Sequence, residues 1–380
     1  MSVADADRSF DAIAVGGGLA GAVFATVLAE RGARVLLLER TREPTLKVCG
    51  DFLSAEAIGL LDGVGIDTGA MGATSVERAS FVSGARAAEV TLPFTAAGLS
   101  RLILDEALLL RAAEAGAIIE RGVTVGGLAP DGDGHVVVEA GGRRFRAPAV
   151  ALATGKHNLR GWPRDQGSVT AFKMQFELGA AARADLAGRV RMVLFDGGYL
   201  GACLVEGDRA TLCWQLDRAA LSRFGADWRG QLDGIAAGSN LLGDLLLGAV
   251  PLSGRPAAVA GLPFGYLRSG GIARGVYPIG DQLAVIPPFT GDGTSIALAS
   301  GIQAAQAVAD GIPAMAFQHA FIRGLRRQFF VARSVAAVFR SARLRQVAVG
   351  ALDMLPAAGS MIARGTRLGG ESAARLTSRV

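Results

Sequence analysis

The first forty residues limit the fold most. Asp11-Ala-Ile-Ala-Val15 is a short apolar run ending at glycine, as in a strand buried on both faces. Gly16-Gly-Gly18-Leu-Ala-Gly21 follows directly. Residues 20–31 then read as a helix closed by Gly32, and Arg34-Val-Leu-Leu-Leu-Glu39 as a second strand. This is G-x-G-x-x-G inside a complete strand–helix–strand unit, which holds a dinucleotide pyrophosphate at a helix N-terminus. Gly16 permits the sharp turn, Gly18 lets the backbone approach the phosphates, and Gly21 allows close helix–strand packing. Glu39, 23 residues after Gly16, stands where a carboxylate accepts both ribose hydroxyls and repels a 2′-phosphate. That suits FAD or NAD rather than NADP. Arg40, at the same strand end, joins it as a cofactor-binding candidate.

The motif also disposes of a hydropathy trap. Residues 12–29 carry no charge over 18 positions, long enough to suggest a membrane span, yet they are a strand, a glycine turn and a helix. A length of 380 residues predicts two lobes, and 51% hydrophobic against 19% charged residues excludes disorder for most of the chain. Cys49, Cys203 and Cys213 are too few for a disulfide framework, and His135, His157 and His319 have no metal-ligand spacing. Reduced thiols and no secretory signal predict a cytoplasmic protein. The net charge of +5 is uneven: from residue 321 eleven arginines face only Asp353 and Glu371, so a +9 tail follows a −4 body.

The choice between FAD and NAD rests on the C-terminal third. A strand from Gly271 runs into Gly280-Asp281, then come Ile286-Pro-Pro288-Phe-Thr-Gly291-Asp-Gly293-Thr294 and a small-residue helix. This resembles the second FAD fingerprint of the flavoprotein hydroxylase and geranylgeranyl reductase superfamily. The resemblance implies that Asp281 accepts ribityl hydroxyls and that Pro288, Gly291 and Gly293 meet the flavin pyrimidine. The helix from Thr294 would then stabilise negative charge at flavin N1 and O2. A third segment agrees. Arg101 leads a helix to about Ala115 and a strand follows to Val125, resembling the superfamily's arginine on FAD and its backbone contact to adenine. Arg101 also has Asp105 at i+4 as an ion-pair partner. Ala149-Val-Ala-Leu-Ala153-Thr154-Gly155 resembles the strand and glycine that close over the cofactor. No second G-x-G-x-x-G exists, so NAD(P)H or another external electron donor would dock transiently.

Lys47-Val-Cys49-Gly50-Asp51-Phe-Leu-Ser54 resembles the K-x-C-G-G/E-x-L-S segment of the geranylgeranyl reductase branch, which implies that Cys49 lies near flavin and substrate; otherwise it is a small buried hydrophobe. Asp51 replaces the usual glycine. Residues 161–265 read as a β-rich lobe. Its Val169–Phe176 segment puts Phe172, Met174 and Phe176 on one face and Lys173 and Gln175 on the other. A hairpin follows around Gly207-Asp208. Tyr199 resembles the tyrosine of the reductases' Y-x-W-x-F-P segment over the ligand cavity, or is an ordinary strand tyrosine; Gly201 replaces the tryptophan. The halogenase G-W-x-W-x-I-P segment is unmatched, with Gly161-Trp162-Pro163 its nearest approach.

Arg326, Arg333 and Arg340 recur every seven residues on one helix face, with Val331, Val335 and Val338 opposite. Such a helix either rests peripherally on an anionic membrane or packs on the acidic body with its arginines solvated. Nothing points to nucleic acid.

The expected architecture is an α/β, Rossmann-like FAD-binding lobe (1–75, 96–160, 266–322). A β-rich substrate lobe (76–95, 161–265) is inserted into it, and a basic helical segment (323–380) follows. The expected activity is FAD-dependent oxidoreduction of a hydrophobic, isoprenoid- or polyketide-like molecule, with hydride passing between flavin N5 and a carbon–carbon bond. Catalytic candidates are Cys49 and Tyr199. The alternatives are a flavoprotein monooxygenase working through a flavin C4a-(hydro)peroxide, and a non-catalytic electron carrier.

Overall fold

The computed structural model describes residues 9–270, 272–365 and 367, apart from the side chains of 356–358 and 362; Gly271 and the tail beyond 367, Glu371 included, lie outside the described residues. The chain opens as its pattern predicts, with strand β1 (Ala12–Val15), helix α1 (Leu19–Glu30) and strand β2 (Val35–Glu39). Every residue of both strands is buried, because helices and a second sheet cover their two faces. A short strand β3 (Phe52–Leu53) leads into α2 (Ala55–Gly63), whose N-cap Ser54 accepts the Ala57 N–H. A long hairpin, β4 (Thr74–Ser83) and β5 (Arg86–Gly98), precedes α3 (Arg101–Glu114), capped by Ser100. Strand β6 (Ile118–Arg121), a three-stranded antiparallel unit β7–β9 (Val125–Pro130, Val136–Ala140, Arg143–Ala147) and β10 (Ala149–Leu152) complete this half.

The second lobe contributes β11 (Val169–Glu177), β12 (Gly188–Phe195), β13 (Gly198–Val205), β14 (Arg209–Leu216), β15 (Val250–Pro251) and β16 (Ala257–Leu262). These join β3–β5 in a nine-stranded sheet. The β11 alternation holds. Phe172, Met174 and Phe176 enter a core with Trp214, which stacks on Phe172 at 5.4 Å between ring centroids, while Lys173 and Gln175 turn to the other face. The chain then returns through β17 (Tyr266–Leu267), β18 (Val276–Pro278), β19 (Ala284–Val285) and helix α4 (Gly293–Ala309). The parallel sheet has the order β18-β10-β1-β2-β6, and the core between it and the helices gathers α1 and α4 around Phe24, Leu298 and Ile302.

The basic segment is three helices, α5 (Ala314–Arg340), α6 (Ala342–Met354) and α7 (Pro356–Gly365). The expected boundary at 322/323 falls inside α5, which is continuous because Phe317, Phe321, Leu325 and Phe329 pack one buried stripe across it. Arg326, Arg333 and Arg340 are exposed as expected, but Val335 and Val338 face a cavity within the protein. No single helix among the described residues is long and apolar enough to cross a membrane.

Candidate active site

Adding a Cβ to Gly21 would place it 1.9 Å from the Gly16 carbonyl oxygen, and Gly16 itself sits at φ +111. Only glycine makes this turn. The space over Gly18 is different. A Cβ on Gly18 would stand 3.5 Å from the Arg101 guanidinium and 4.0 Å from the Lys47 ammonium, and Gly18 caps α1 without any side-chain acceptor. Free helical N–H groups and two cations face one open space, as a pyrophosphate requires. Asp105 aims both cations: it takes Arg101 Nε at 2.6 Å and Lys47 Nζ at 2.8 Å. Burial would raise the Asp105 carboxyl, but Arg101 and Lys47 outweigh it and hold the group below the usual carboxylate range. The i+4 pair with Asp105 thus also turns Arg101 toward the open space over Gly18.

Glu39 also braces the loop. Its Oε2 accepts the Gly17 N–H at 2.7 Å, and its Oε1 accepts the N–H and hydroxyl of Thr41. Burial pushes this carboxyl up, yet the Lys47 charge and these bonds bring it below its ordinary value. With about four acceptor positions on a carboxylate, capacity remains for ribose. Arg40 lies outside the main cavity and meets His157 Nε2 at 2.7 Å. Burial, then the Arg40, Arg164 and Lys156 charges, lower the His157 pKa and favour its neutral form. Val125 opens β7 opposite Ala140; it is Val123, after a turn at Gly122, whose N–H reaches the Glu39 carbonyl at 3.0 Å. The strand expected to run through 125 breaks there, because the chain leaves the parallel sheet for another.

A cavity of about 540 Å³ runs from this loop between the lobes. Gly18, Arg101, Gly155, Asp281, Pro288, Gly291, Gly293 and Thr294 all line it, so the separated fingerprints converge on one surface. Gln282 fixes the closing strand by donating to the carbonyls of Gly155 and His157. Asp281 pairs with Lys156 at 3.4 Å. Asp292 caps α4 but turns its carboxylate inward, among Ser54, Gln328 and Arg367, which leaves the first N–H groups of α4 to face the cavity. An open cradle with paired cations, a braced acidic strand end and a second helix N-terminus together fit FAD.

Cys49 and Tyr199 both line the cavity, on opposite lobes. The loop carrying Cys49 is held by Asp51, which takes the left-handed conformation (φ +57) that suits the glycine it replaces. The Asp51 carboxylate accepts Lys173 Nζ at 2.6 Å, the Thr211 hydroxyl at 2.7 Å and the Arg101 N–H at 3.1 Å. Both members of the Asp51–Lys173 pair are wholly buried. Sequence reasoning placed Lys173 on the correct face but missed its partner, 122 residues away. It also missed Lys47, Lys156, Gln215 and Arg367; only Lys47 carried a signal, at the head of the K-x-C-G segment. Trp162 is buried against the parallel sheet with Leu159 and takes no part in the cavity wall.

The far wall is apolar. Phe81, Val90, Leu92, Met192, Leu262 and Phe264 come from the substrate lobe, Val335, Phe339 and Leu352 from α5 and α6, and Leu355 from the C-cap of α6. Phe339 packs on Phe289 of the flavin-side loop at 5.1 Å and on Phe81 at 6.4 Å, so the C-terminal helices roof the cavity.

Comparison with known proteins agrees with this geometry. Residues 9–159 match the FAD binding domain family. Digeranylgeranylglycerophospholipid reductase 2 of Methanopyrus kandleri is 29% identical over 80% of this chain and 78% of its own. A geranylgeranyl bacteriochlorophyll reductase-like protein of Thermoplasma acidophilum superposes with a TM-score of 0.71 at 17% identity, covering 98% of this chain and 96% of its own. The myxobacterial chondrochloren halogenase reaches 0.76 at 18% identity, with 97% and 96% covered, a likeness of fold alone. The chain is therefore an FAD-dependent oxidoreductase, similar in sequence to the digeranylgeranylglycerophospholipid reductases of Methanopyrus kandleri.

Proposed function

We propose that this enzyme reduces a carbon–carbon double bond in a neutral, largely apolar small molecule. The observation that carries this reading is one continuous cavity whose near end is the cofactor cradle and whose far end is apolar. Bound, reduced FAD supplies a hydride from N5, and a proton from solvent or a side chain completes the addition of two hydrogens. The protein's part is positioning and water exclusion: Gly291 and the first turn of α4 seat the flavin side, while Phe264, Met192 and Phe339 hold the substrate. NAD(P)H or another external donor serves as reductant by transient docking.

The test is anaerobic. The photoreduced holoenzyme is mixed with a panel of unsaturated isoprenoid molecules, with and without a carbonyl conjugated to the double bond, and the flavin spectrum followed without oxygen. Flavin reoxidation with a product heavier by two hydrogens is expected. Reoxidation only on adding oxygen, with one oxygen atom in the product, would replace this reading by the monooxygenase.

Membrane contact is a second part of the proposal. Phe330, Leu344, Val347, Met354 and Met361 are exposed on α5–α7 beside Arg326, Arg340 and Arg343. Exposed apolar side chains and arginines on the same helices suit anionic lipid, and these helices roof the cavity. Sedimentation with phosphatidylglycerol vesicles should carry the protein down, and an R340E/R343E variant should stay in solution. Equal sedimentation of both would refute the contact.

A further inference from the structure

The apolar wall of the cavity carries a polar spot. Tyr199 on β13 and Gln215 on β14 are direct cross-strand partners, so both side chains leave the sheet on one face. Such pairs stand roughly 5 Å apart at Cβ. Both residues line the cavity, opposite the Cys49 loop. Among the described residues the Tyr199 hydroxyl has no hydrogen-bond partner, and Gln215 Oε1 is buried without one. Burial, with Cys213 and Cys49 adding to it, lifts the Tyr199 phenol well above its ordinary range, so it remains a donor. The amide of Gln215 offers a second donor beside it.

The surroundings narrow what these groups can hold. The charged residues that line the cavity, Arg101, Lys156, Asp281 and Arg367, are all ion-paired. Tyr199, like Phe81, Phe339 and Leu352, packs against the buried apolar cluster of Ala88, Leu194 and Val349. Unsatisfied polar groups in an apolar wall cost free energy until something bonds to them. The Tyr199 O–H and the Gln215 N–H are adjacent donors, and a neutral molecule with one oxygen accepts from both without bringing charge, whereas the buried Gln215 Oε1 is an acceptor that this oxygen does not serve.

We propose that Tyr199 and Gln215 bind the carbonyl oxygen of the substrate, and that the reducible double bond is conjugated to it, as in an enal or enone with an apolar chain. This deepens the proposed double-bond reduction and rests on it. The hydride adds to the carbon of the double bond remote from the carbonyl, and the π pair shifts toward the carbonyl oxygen. Tyr199 O–H and Gln215 N–H stabilise the charge that develops there. A proton from solvent then enters at the carbon next to the carbonyl. The substrate gains a hydride, which carries both electrons, and a proton from solvent, and the cofactor that gives up the hydride is oxidised by two electrons.

The experiment compares geranial with the hydrocarbon of the same chain lacking its oxygen. Binding to oxidised holoenzyme is measured by calorimetry and by the shift of the flavin absorption band. Geranial should bind about tenfold or more tightly than the hydrocarbon. Tyr199→Phe and Gln215→Leu should each remove about tenfold from geranial and leave the hydrocarbon unchanged, with flavin content and melting temperature held. Equal affinities in the wild type, or a preference that survives in the double variant, would overturn the proposal. If neither molecule binds while FAD is retained, the reading of the cavity as the substrate site fails, and this inference with it.

Discussion

Lys173→Met removes one member of an ion pair in which neither side chain touches solvent. The Asp51 carboxylate would keep the Thr211 hydroxyl and the Arg101 N–H but lose its one cationic side-chain partner by hydrogen bond among the described residues. Breaking a buried pair from one side typically costs about 3–5 kcal/mol, because a charge is left unpaired in low dielectric. Replacing both partners is a different matter. Asp51→Gly also relieves a non-glycine residue at φ +57, a conformation that costs roughly 1–2 kcal/mol. The double variant Asp51→Gly/Lys173→Met should therefore lie within about 2 kcal/mol of the wild type while the single Lys173 variant falls well below it. Urea unfolding followed by tryptophan fluorescence reads both, Trp214 being buried in the same lobe. Additive losses in the double variant, or a Lys173→Met cost under about 1 kcal/mol, would refute the reasoning.

Gly21→Ala should abolish FAD retention after gel filtration, since its Cβ would meet the Gly16 carbonyl at 1.9 Å; a fully yellow variant would contradict the cradle. Glu39→Ala and Asp281→Ala should each lower flavin occupancy, Glu39 more because it also braces Gly17. Burial pushes the Asp292 carboxyl up to about 6 against the pull of Arg367. The folded chain thus holds a proton that the unfolded chain releases from about pH 4, so this group's stabilisation is complete below that and fades as pH rises through about 6. That is roughly 3 kcal/mol at most, and Asp292→Asn should flatten the slope of unfolding free energy over this window; an unchanged slope would exclude Asp292 as its source. Burial pushes Cys213 up to about 12 and Cys203 higher still. Mass spectrometry after iodoacetamide at about pH 8 should find both unmodified in the native protein, because the thiolate is the nucleophile.

The parallel half of the fold was legible because its information is local. The glycine spacing from Gly16 to Gly21, the acidic end of β2 and the period-two face of β11 each depend on residues within a few positions. The Gly291 loop and Arg101 were readable as resemblances, and the cavity brings both together. What the tertiary structure alone decided involves partners far apart in sequence. Nothing local announces that Asp51 meets Lys173, since that contact needs the substrate sheet laid against the Cys49 loop. Tyr199 opposite Gln215 depends on strand register, where a shift of one residue would turn either side chain to the other face. The arginine heptad of the tail was visible, but its meaning was not. A helix's apolar residues do not say what they cover, and only the packing of Phe339 on Phe289 and Phe81 shows that the C-terminal helices close the cavity.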